Sequence, residues 1–267
     1  MKSVLRYPGS KSGMAKAILD HFPQHNTYIE PFFGGGSVFF SKEPSKYEVI
    51  NDLSSTVVNF WRVCRDHADD LAKAISLTPW SREEYEDSYG PPTGDSVEDA
   101  RRFLVRTSQA YGIRLTVHTG WKNRGSSGAT SVTSGWDDMP ERIRLVADRL
   151  KLAEIDNRPA TEVIKRLGDQ SDALFYIDPP YVLSTRNGNR YYHHEMDEQD
   201  HYRLLDAALG IRGAVIISGY GHPIYRIMLK GWYLVEIKDV AEQGQERVEC
   251  LWMNSRAYYA RQMRMEF

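Results

Sequence analysis

The chain has 267 residues, 41% hydrophobic and 26% charged, with a formal net charge of −2, which fits one sizeable globular domain or a domain carrying a large insertion. No run of about 18 apolar residues exists, which excludes a membrane-spanning helix, and the first residues lack the core of a signal peptide. Its only cysteines, Cys64 and Cys250, form no CxxC or Cys/His cluster, which points to a reducing interior and no structural zinc.

Thr27–Glu30 and Tyr47–Ile50 read as two short strands. Between them, Pro31-Phe32-Phe33-Gly34-Gly35-Gly36-Ser37-Val38-Phe39-Phe40 is a glycine turn leading into an apolar helix start. Asn51-Asp52 ends the second strand, and Ser54 or Ser55 can cap a helix in which Val57, Phe60, Trp61, Cys64, Ala68, Leu71 and Ile75 recur at helical spacing. Tyr89 to Gly94, rich in proline and glycine, breaks that pattern.

From Ala100 to Trp136 there is no acidic residue, while Arg101, Arg102, Arg106, Arg114, Lys122 and Arg124 are all cationic. These six charges leave the rest of the chain at −8. Phe103, Tyr111, Trp121 and Trp136 are interleaved with them, and cations mixed with aromatic rings suit a surface that tracks phosphates and touches bases. The same composition also fits a solvated helix, running to about Tyr111, followed by a loop.

Pro140 suits the first turn of the next helix. Leu152–Ile155 then reads as a third strand, Thr161–Leu167 as a helix, Ala173–Ile177 as a fourth strand and Ala214–Ser218 as a fifth. Trp232–Val240 and Val248–Asn254 suit an antiparallel hairpin around Ala241-Glu242-Gln243-Gly244-Gln245. Strands alternating with helices predict an α/β fold, a doubly wound, mostly parallel sheet of seven strands with a C-terminal antiparallel hairpin. A mainly helical and loop insertion, residues 66–145, falls between the second and third strands. The expected division is therefore 1–65 with 146–267 as the catalytic domain, and 66–145 as an inserted target-recognition region.

Asp178-Pro179-Pro180-Tyr181 directly follows the fourth strand. Its carboxylate emerges at the carboxyl end of a buried parallel strand, where open α/β sheets bind ligands. Two prolines stiffen the backbone and leave carbonyls free to accept, and the tyrosine supplies a flat ring. An acid, a stiff row of acceptors and a ring suit a planar group with an amino substituent, such as an extruded nucleobase. Alone, the motif equally describes a strand ending in a proline turn.

The glycine turn allows a nucleotide-like ligand to approach the backbone, and Asp52 can accept from both ribose hydroxyls. The dinucleotide fingerprint needs a glycine where Phe39 stands, so a ligand with an uncharged ribose, such as S-adenosylmethionine, fits better than a dinucleotide. Arg6-Tyr7-Pro8-Gly9-Ser10-Lys11-Ser12 lacks the Gly-Lys-Ser/Thr order of a phosphate loop, which leaves Lys11 as a point charge for a carboxylate. His193-His194 has no ligand spacing for a metal. The loop from Val182 to His194 holds Arg186, Arg190, Tyr191 and Tyr192 without an acid, and it can close over a nucleic acid.

In this order, RYPGSK, EPFFGGGSVFF, VIND and LFYIDPPY resemble the Dam-type DNA adenine methyltransferases, and AVIISGY and ERVECLWMN look like the later strands of that family. The resemblance covers nearly the whole chain. It implies a methyltransferase sheet and a site-specific, adenine-specific enzyme that flips an adenine out of double-stranded DNA and methylates its N6 atom from S-adenosylmethionine, without a metal. It assigns cofactor contacts to Tyr7, Lys11, Pro31, Gly34, Gly36, Ser37, Asp52 and Asp178, and catalysis to Asp178, Pro179, Pro180 and Tyr181. Tyr7 stands where the family usually has a tryptophan. Arg114, Lys122, Arg124, Arg186 and Arg190 are the expected DNA contacts, in a protein expected in the cytoplasm of a bacterial or phage-infected cell. Rival readings are N4-cytosine methylation, which the same acceptors suit, a non-catalytic DNA-binding module, and a nucleotide-dependent oxidoreductase.

Overall fold

The computed structural model describes residues 1–112, 114–123, 134–186, 190–240 and 246–265. Within them the strands are β1 (Thr27–Glu30), β2 (Tyr47–Asn51), β3 (Ala153–Asp156), β4 (Ala173–Ile177), β5 (Ala214–Gly219), β6 (Tyr233–Val240) and β7 (Glu246–Met253). They form one sheet in the order β3-β2-β1-β4-β5-β7-β6. The first five are parallel, while β7 runs antiparallel to both β5 and β6. The expected α/β sheet with its terminal hairpin is what forms. The chain winds outward from β1 toward β3 and from β4 toward β6, so the order reverses between β1 and β4. A crevice opens there beyond the carboxyl ends of the strands.

Strand period decides what each face carries. Tyr28, Ile50, Tyr176, Ile216, Leu251 and Met253 face one layer of helices, among them Ser55–Asp66, Ala68–Ser76, Ser96–Gln109 and Met139–Leu150. Ile29, Val49, Phe175, Ile177, Val215, Ile217 and Trp252 face the other layer, with helices Ala160–Leu167, Glu198–Leu209 and Pro223–Met228. The early helices of residues 66–145 thus share the sheet's core: Leu71, Ile75, Phe103 and Leu104 are buried with Tyr28 and Tyr176.

The apolar pattern from Val57 to Ile75 is carried by two helices rather than one. His67 breaks the run: it leaves helical geometry at φ −133° and ψ 39°. It stays hydrogen-bonded to both helices, donating to the Val63 carbonyl at 2.9 Å and accepting from the Leu71 amide at 3.0 Å. One bent residue redirects the second helix without losing apolar phase, which is why periodicity alone does not reveal the break. The basic helix likewise ends at Gln109. Ala110 turns extended, with ψ 142°, and pairs with Trp121 in an isolated bridge.

Glu48 on β2 is buried beneath this layer and receives Lys42 Nζ at 2.5 Å, the Arg149 guanidinium, and the Ser45 amide at 3.0 Å. Burial opposes its ionisation, but the bonds from Arg149 and Lys42 prevail and hold its carboxyl below the usual range. Its stabilising effect is therefore fully present above the unfolded-state value of about 4.3 and is lost as pH falls through the depressed folded value. Arg149→Met, which removes one partner of a buried charge, should lower the unfolding free energy by about 3–5 kcal/mol. Denaturant titration at neutral pH measures this, and the deficit should shrink in acid as Glu48 takes up its proton.

Candidate active site

All five residues of β4 are buried, and the strand delivers Asp178 to the crevice at the reversal point. Tyr176 and Asp178 share a side of the strand, so Asp178 projects above the face that buries Tyr176. Lys11, on the loop before the first helix, reaches over the strand ends and donates to both Asp178 oxygens, at 2.8 and 2.7 Å, and to the Gly9 carbonyl at 3.3 Å. The lysine is 6% exposed. Burial works against its ammonium, but Asp178 and Glu249 outweigh this and raise its pKa. Burial also raises the Asp178 pKa, with Lys11 pulling it back.

Tyr181 lies against this pair. Its ring centroid is 4.8 Å from Lys11 Nζ and 4.6 Å from the ring of Tyr220, edge to face. Its phenol donates to Glu249 Oε1, which also accepts from the Ser218 hydroxyl. On β1, the neighbouring Glu30 accepts from the Tyr28 phenol at 2.8 Å. Burial pushes the Glu30 carboxyl up to about 8.

The glycine turn frames the opposite wall. Gly34 and Gly36 sit at φ 47° and 64°, in the left-handed region. A Cβ on Gly34 would lie 2.7 Å from the Tyr7 ring, so the turn closes directly onto that ring. Asp52 is fixed by the same turn, accepting from the Gly34 amide on Oδ2 and the Ser54 amide on Oδ1, both at 2.8 Å. Burial raises its pKa against those two bonds. Asn51 Nδ2 donates to the Pro31 carbonyl at 2.8 Å, and the hydroxyls of Ser10 and Ser37 lie 2.7 Å apart.

Tyr7, Lys11, Pro31, Gly34, Gly36, Ser37, Asp52 and Asp178 to Tyr181 all line one cleft of about 1630 Å³. Tyr192 closes part of it, its phenol donating to the Pro8 carbonyl at 3.0 Å and its ring 5.9 Å from that of Tyr7. Glu195 holds this segment by accepting from the Tyr191 and Tyr192 amides at 2.7 and 3.1 Å. The insertion is tied to it as well. The Leu115 amide donates to the Tyr191 carbonyl at 3.0 Å, and the Thr116 hydroxyl donates to the Arg190 carbonyl at 3.2 Å.

The basic residues separate in space. Arg186, expected as a DNA contact, is turned inward, paired with Glu195 and donating to the Tyr181 carbonyl at 2.9 Å. Arg101 bonds Glu84 and Glu98, and Arg102 bonds Glu98. The acid-free stretch is therefore not acid-free in space, because the helix that carries these arginines starts at Ser96, before the stretch begins. Arg114 and Arg190 remain exposed, and Lys122 is half-buried. Arg124 lies outside the described residues. Glu30, Ser218, Glu249 and Glu195 were not among the expected site residues, and Tyr192 was expected only as part of the closing loop. Strand alternation could have found the first three, whereas nothing local marks the other two.

Residues 7–248 match the family described as D12 class N6 adenine-specific DNA methyltransferase. The Type II methyltransferase M1.LlaDCHI of Lactococcus lactis subsp. cremoris is 25% identical over 91% of this chain and 90% of its own length. The DNA adenine methylase of Serratia marcescens is 29% identical over 87% of each chain. The Type II methyltransferase M.MjaIII of Methanocaldococcus jannaschii is 23% identical over 89% of this chain and 91% of its own.

Gly34→Ala should meet both a left-handed backbone and the Tyr7 ring, at a cost of about 1–3 kcal/mol for the backbone alone. Thermal unfolding of the variant should show it. Gly94 has φ 84° and no atom within 4 Å of an added Cβ, so Gly94→Ala isolates the backbone part and should cost less.

Proposed function

We propose the following roles for the residues of this cleft, on the premise that the chain belongs to the D12 class of N6 adenine-specific DNA methyltransferases, enzymes that methylate the N6 amine of adenine in DNA. The observation that carries them is Asp178, a carboxylate on the carboxyl end of β4, gripped by a buried lysine and followed by two prolines and a tyrosine. An adenine amine is a weak nucleophile because its lone pair is delocalised into the ring. Asp178 and the Pro179 carbonyl each accept one of its hydrogens, drawing the nitrogen toward tetrahedral geometry and stabilising the positive charge that develops. Pro180 keeps that carbonyl row stiff. Tyr181 stacks on an adenine extruded from double-stranded DNA, an interaction worth about 1–3 kcal/mol, which offsets an unstacking cost of a few kcal/mol. The amino group of cytosine would suit the same acceptors, but the family is adenine-specific.

S-adenosylmethionine fits the cleft as methyl donor. Asp52 retains acceptor capacity after two amide bonds, and the buried glycine turn beside it lines the same cleft. When bound, the donor supplies an electrophilic methyl group on sulfur. Asp52 accepts from ribose hydroxyls, while Pro31, Gly34, Gly36 and Ser37 shape the wall and Tyr7 supports the turn. Lys11 spends its donors on Asp178 and Gly9, so its role in this reading is to hold the catalytic acid. No step calls on a metal ion.

Arg114 and Arg190 are the chain neighbours of Leu115 and Tyr191, which line the cleft, with the Arg114 guanidinium 5.4 Å from the Tyr191 ring centre. With Lys122 they form the phosphate contacts of residues 66–145 and the adjoining loop, while Arg186 positions the loop itself. The Type II names of two relatives support a place in a restriction-modification pair. No helix among the described residues is long and apolar enough to cross a membrane.

Nucleoside mass spectrometry on DNA incubated with the protein and S-adenosylmethionine should reveal N6-methyladenine. Asp178→Ala should abolish it with DNA affinity retained, and Asp178→Asn should lose about 100- to 1000-fold in rate. A folded Asp178→Ala protein with near-normal turnover would sink the assignment. Arg114→Glu with Arg190→Glu should weaken DNA binding and reduce the slope of log K against log salt by about 0.9 per lost phosphate contact. Unchanged binding across a salt series would remove this rim from the DNA surface.

A further inference from the structure

Asp178 with Lys11 alone would offer the amine a nearly neutral ion pair. An ammonium within 2.8 Å of both carboxylate oxygens cancels much of the field that a developing cation needs. A second carboxylate shares that lysine: Glu249 Oε1 lies 3.9 Å from Lys11 Nζ. Glu249 stands on β7, just before its apolar run Cys250–Met253, and is 3% exposed. Its Oε1 accepts from the hydroxyls of Tyr181 and Ser218. An isolated buried carboxylate would neutralise itself by taking a proton, whereas this one has two donors and a shared cation.

We propose that Glu249 is a positioning residue for methyl transfer: it fixes the Tyr181 ring through its phenol and, by sharing Lys11 with Asp178, leaves the cluster with one net negative charge facing the amine. The proposal rests on the role given above to Asp178. Two carboxylates and one ammonium carry a charge of −1. As the carbon–nitrogen bond forms and the carbon–sulfur bond of the donor breaks, the positive charge moves from the sulfonium to the amine, toward this net anion, and it leaves when the methylated amine releases a proton to solvent. With Glu249 uncharged, the charge would move toward a neutral ion pair instead.

The groups that face Glu249 are Lys11 from the first loop, Tyr176 and Asp178 from β4 and its end, Tyr181 beyond it and Ser218 from β5, with Cys250 next to it on its own strand. Burial raises the Glu249 carboxyl above its ordinary value. Lys11 opposes that shift, Asp178 adds to it, and the hydroxyls of Ser218 and Tyr181 oppose it. An acid with a raised folded value loses its charge as pH falls through that value. The acid limb of the rate should therefore sit above the ordinary carboxylate range of about 4.

Single-turnover methylation of a duplex by the full chain, followed across pH, decides the matter. Glu249→Gln keeps an oxygen for both hydroxyls and loses only the charge. It should slow the chemical step by about 10- to 100-fold, the worth of one charge several ångströms away at an effective dielectric near 20. DNA affinity should hold, and the acid limb should move to lower pH, because Asp178 then has Lys11 to itself. Ser218→Ala removes one donor from Glu249 and should move the limb to higher pH. If Glu249 merely props the tyrosine, Glu249→Gln will keep a rate within about twofold of wild type with an unmoved limb, and the proposal fails while N6-methyladenine still forms. A wild-type protein that forms no N6-methyladenine overturns the reading of Asp178 and this proposal with it.

Discussion

The ion pair between Lys11 and Asp178 is the constraint on which the site depends. It joins the first loop to the end of β4 across 167 positions of sequence, and it does so at 6% exposure of the lysine. Neither charge could stay in that place alone, since an unpaired ion in a poorly solvated cleft changes its protonation state instead. The loop that supplies Lys11 also supplies Tyr7, which lies against the glycine turn, and that turn in turn holds Asp52 through the Gly34 amide. One buried contact thus sets the distance between the two walls of the cleft, the wall that carries Asp178 and the wall that carries the glycine turn and Asp52.

The functional groups of the strands share a single geometric rule. Tyr28 and Glu30, Ile50 and Asp52, Tyr176 and Asp178, and Ile216 and Ser218 are all pairs two residues apart, each an apolar or aromatic residue of the core followed by a polar one above it. Glu249 precedes Leu251 in the same way, because β7 runs in the opposite direction. Alternation points these side chains to one face, and parallel pairing brings their ends level. This edge of the sheet becomes a row of mostly acidic residues over an apolar floor, and the acids at Asp178 and Glu249 need the lysine.

Much of this was legible in the chain. The apolar runs gave every strand within two residues of its bounds, and a carboxylate after a five-residue buried run singled out the strand end that opens into the cleft. What escaped did so for physical reasons. A helix break at His67 keeps the apolar phase, so spacing passes over it unmarked. The charges of Arg101 and Arg102 are set by Glu84 and Glu98, which lie outside the window that looked purely basic. Arg186 is spent on Glu195, nine residues further on. Linear charge density describes neighbours along the chain, whereas ion pairs form between neighbours in space. Glu249 was passed over because its partners Tyr181 and Ser218 come from two other segments, 68 and 31 positions away.

The hydrogen bonds from Leu115 and Thr116 to the carbonyls of Tyr191 and Arg190 join the inserted segment to the loop behind the catalytic motif by main-chain acceptors. Because the acceptors are backbone atoms, the joint does not depend on which side chains stand at 190 and 191 but fixes the path of the chain there. Substitutions elsewhere in residues 66–145 therefore leave this seam untouched. A transplanted insertion of different path would instead drag Tyr192 off the Pro8 carbonyl and reshape the cleft beneath it. The seam is indifferent to a change of side chain and sensitive to a change of chain path.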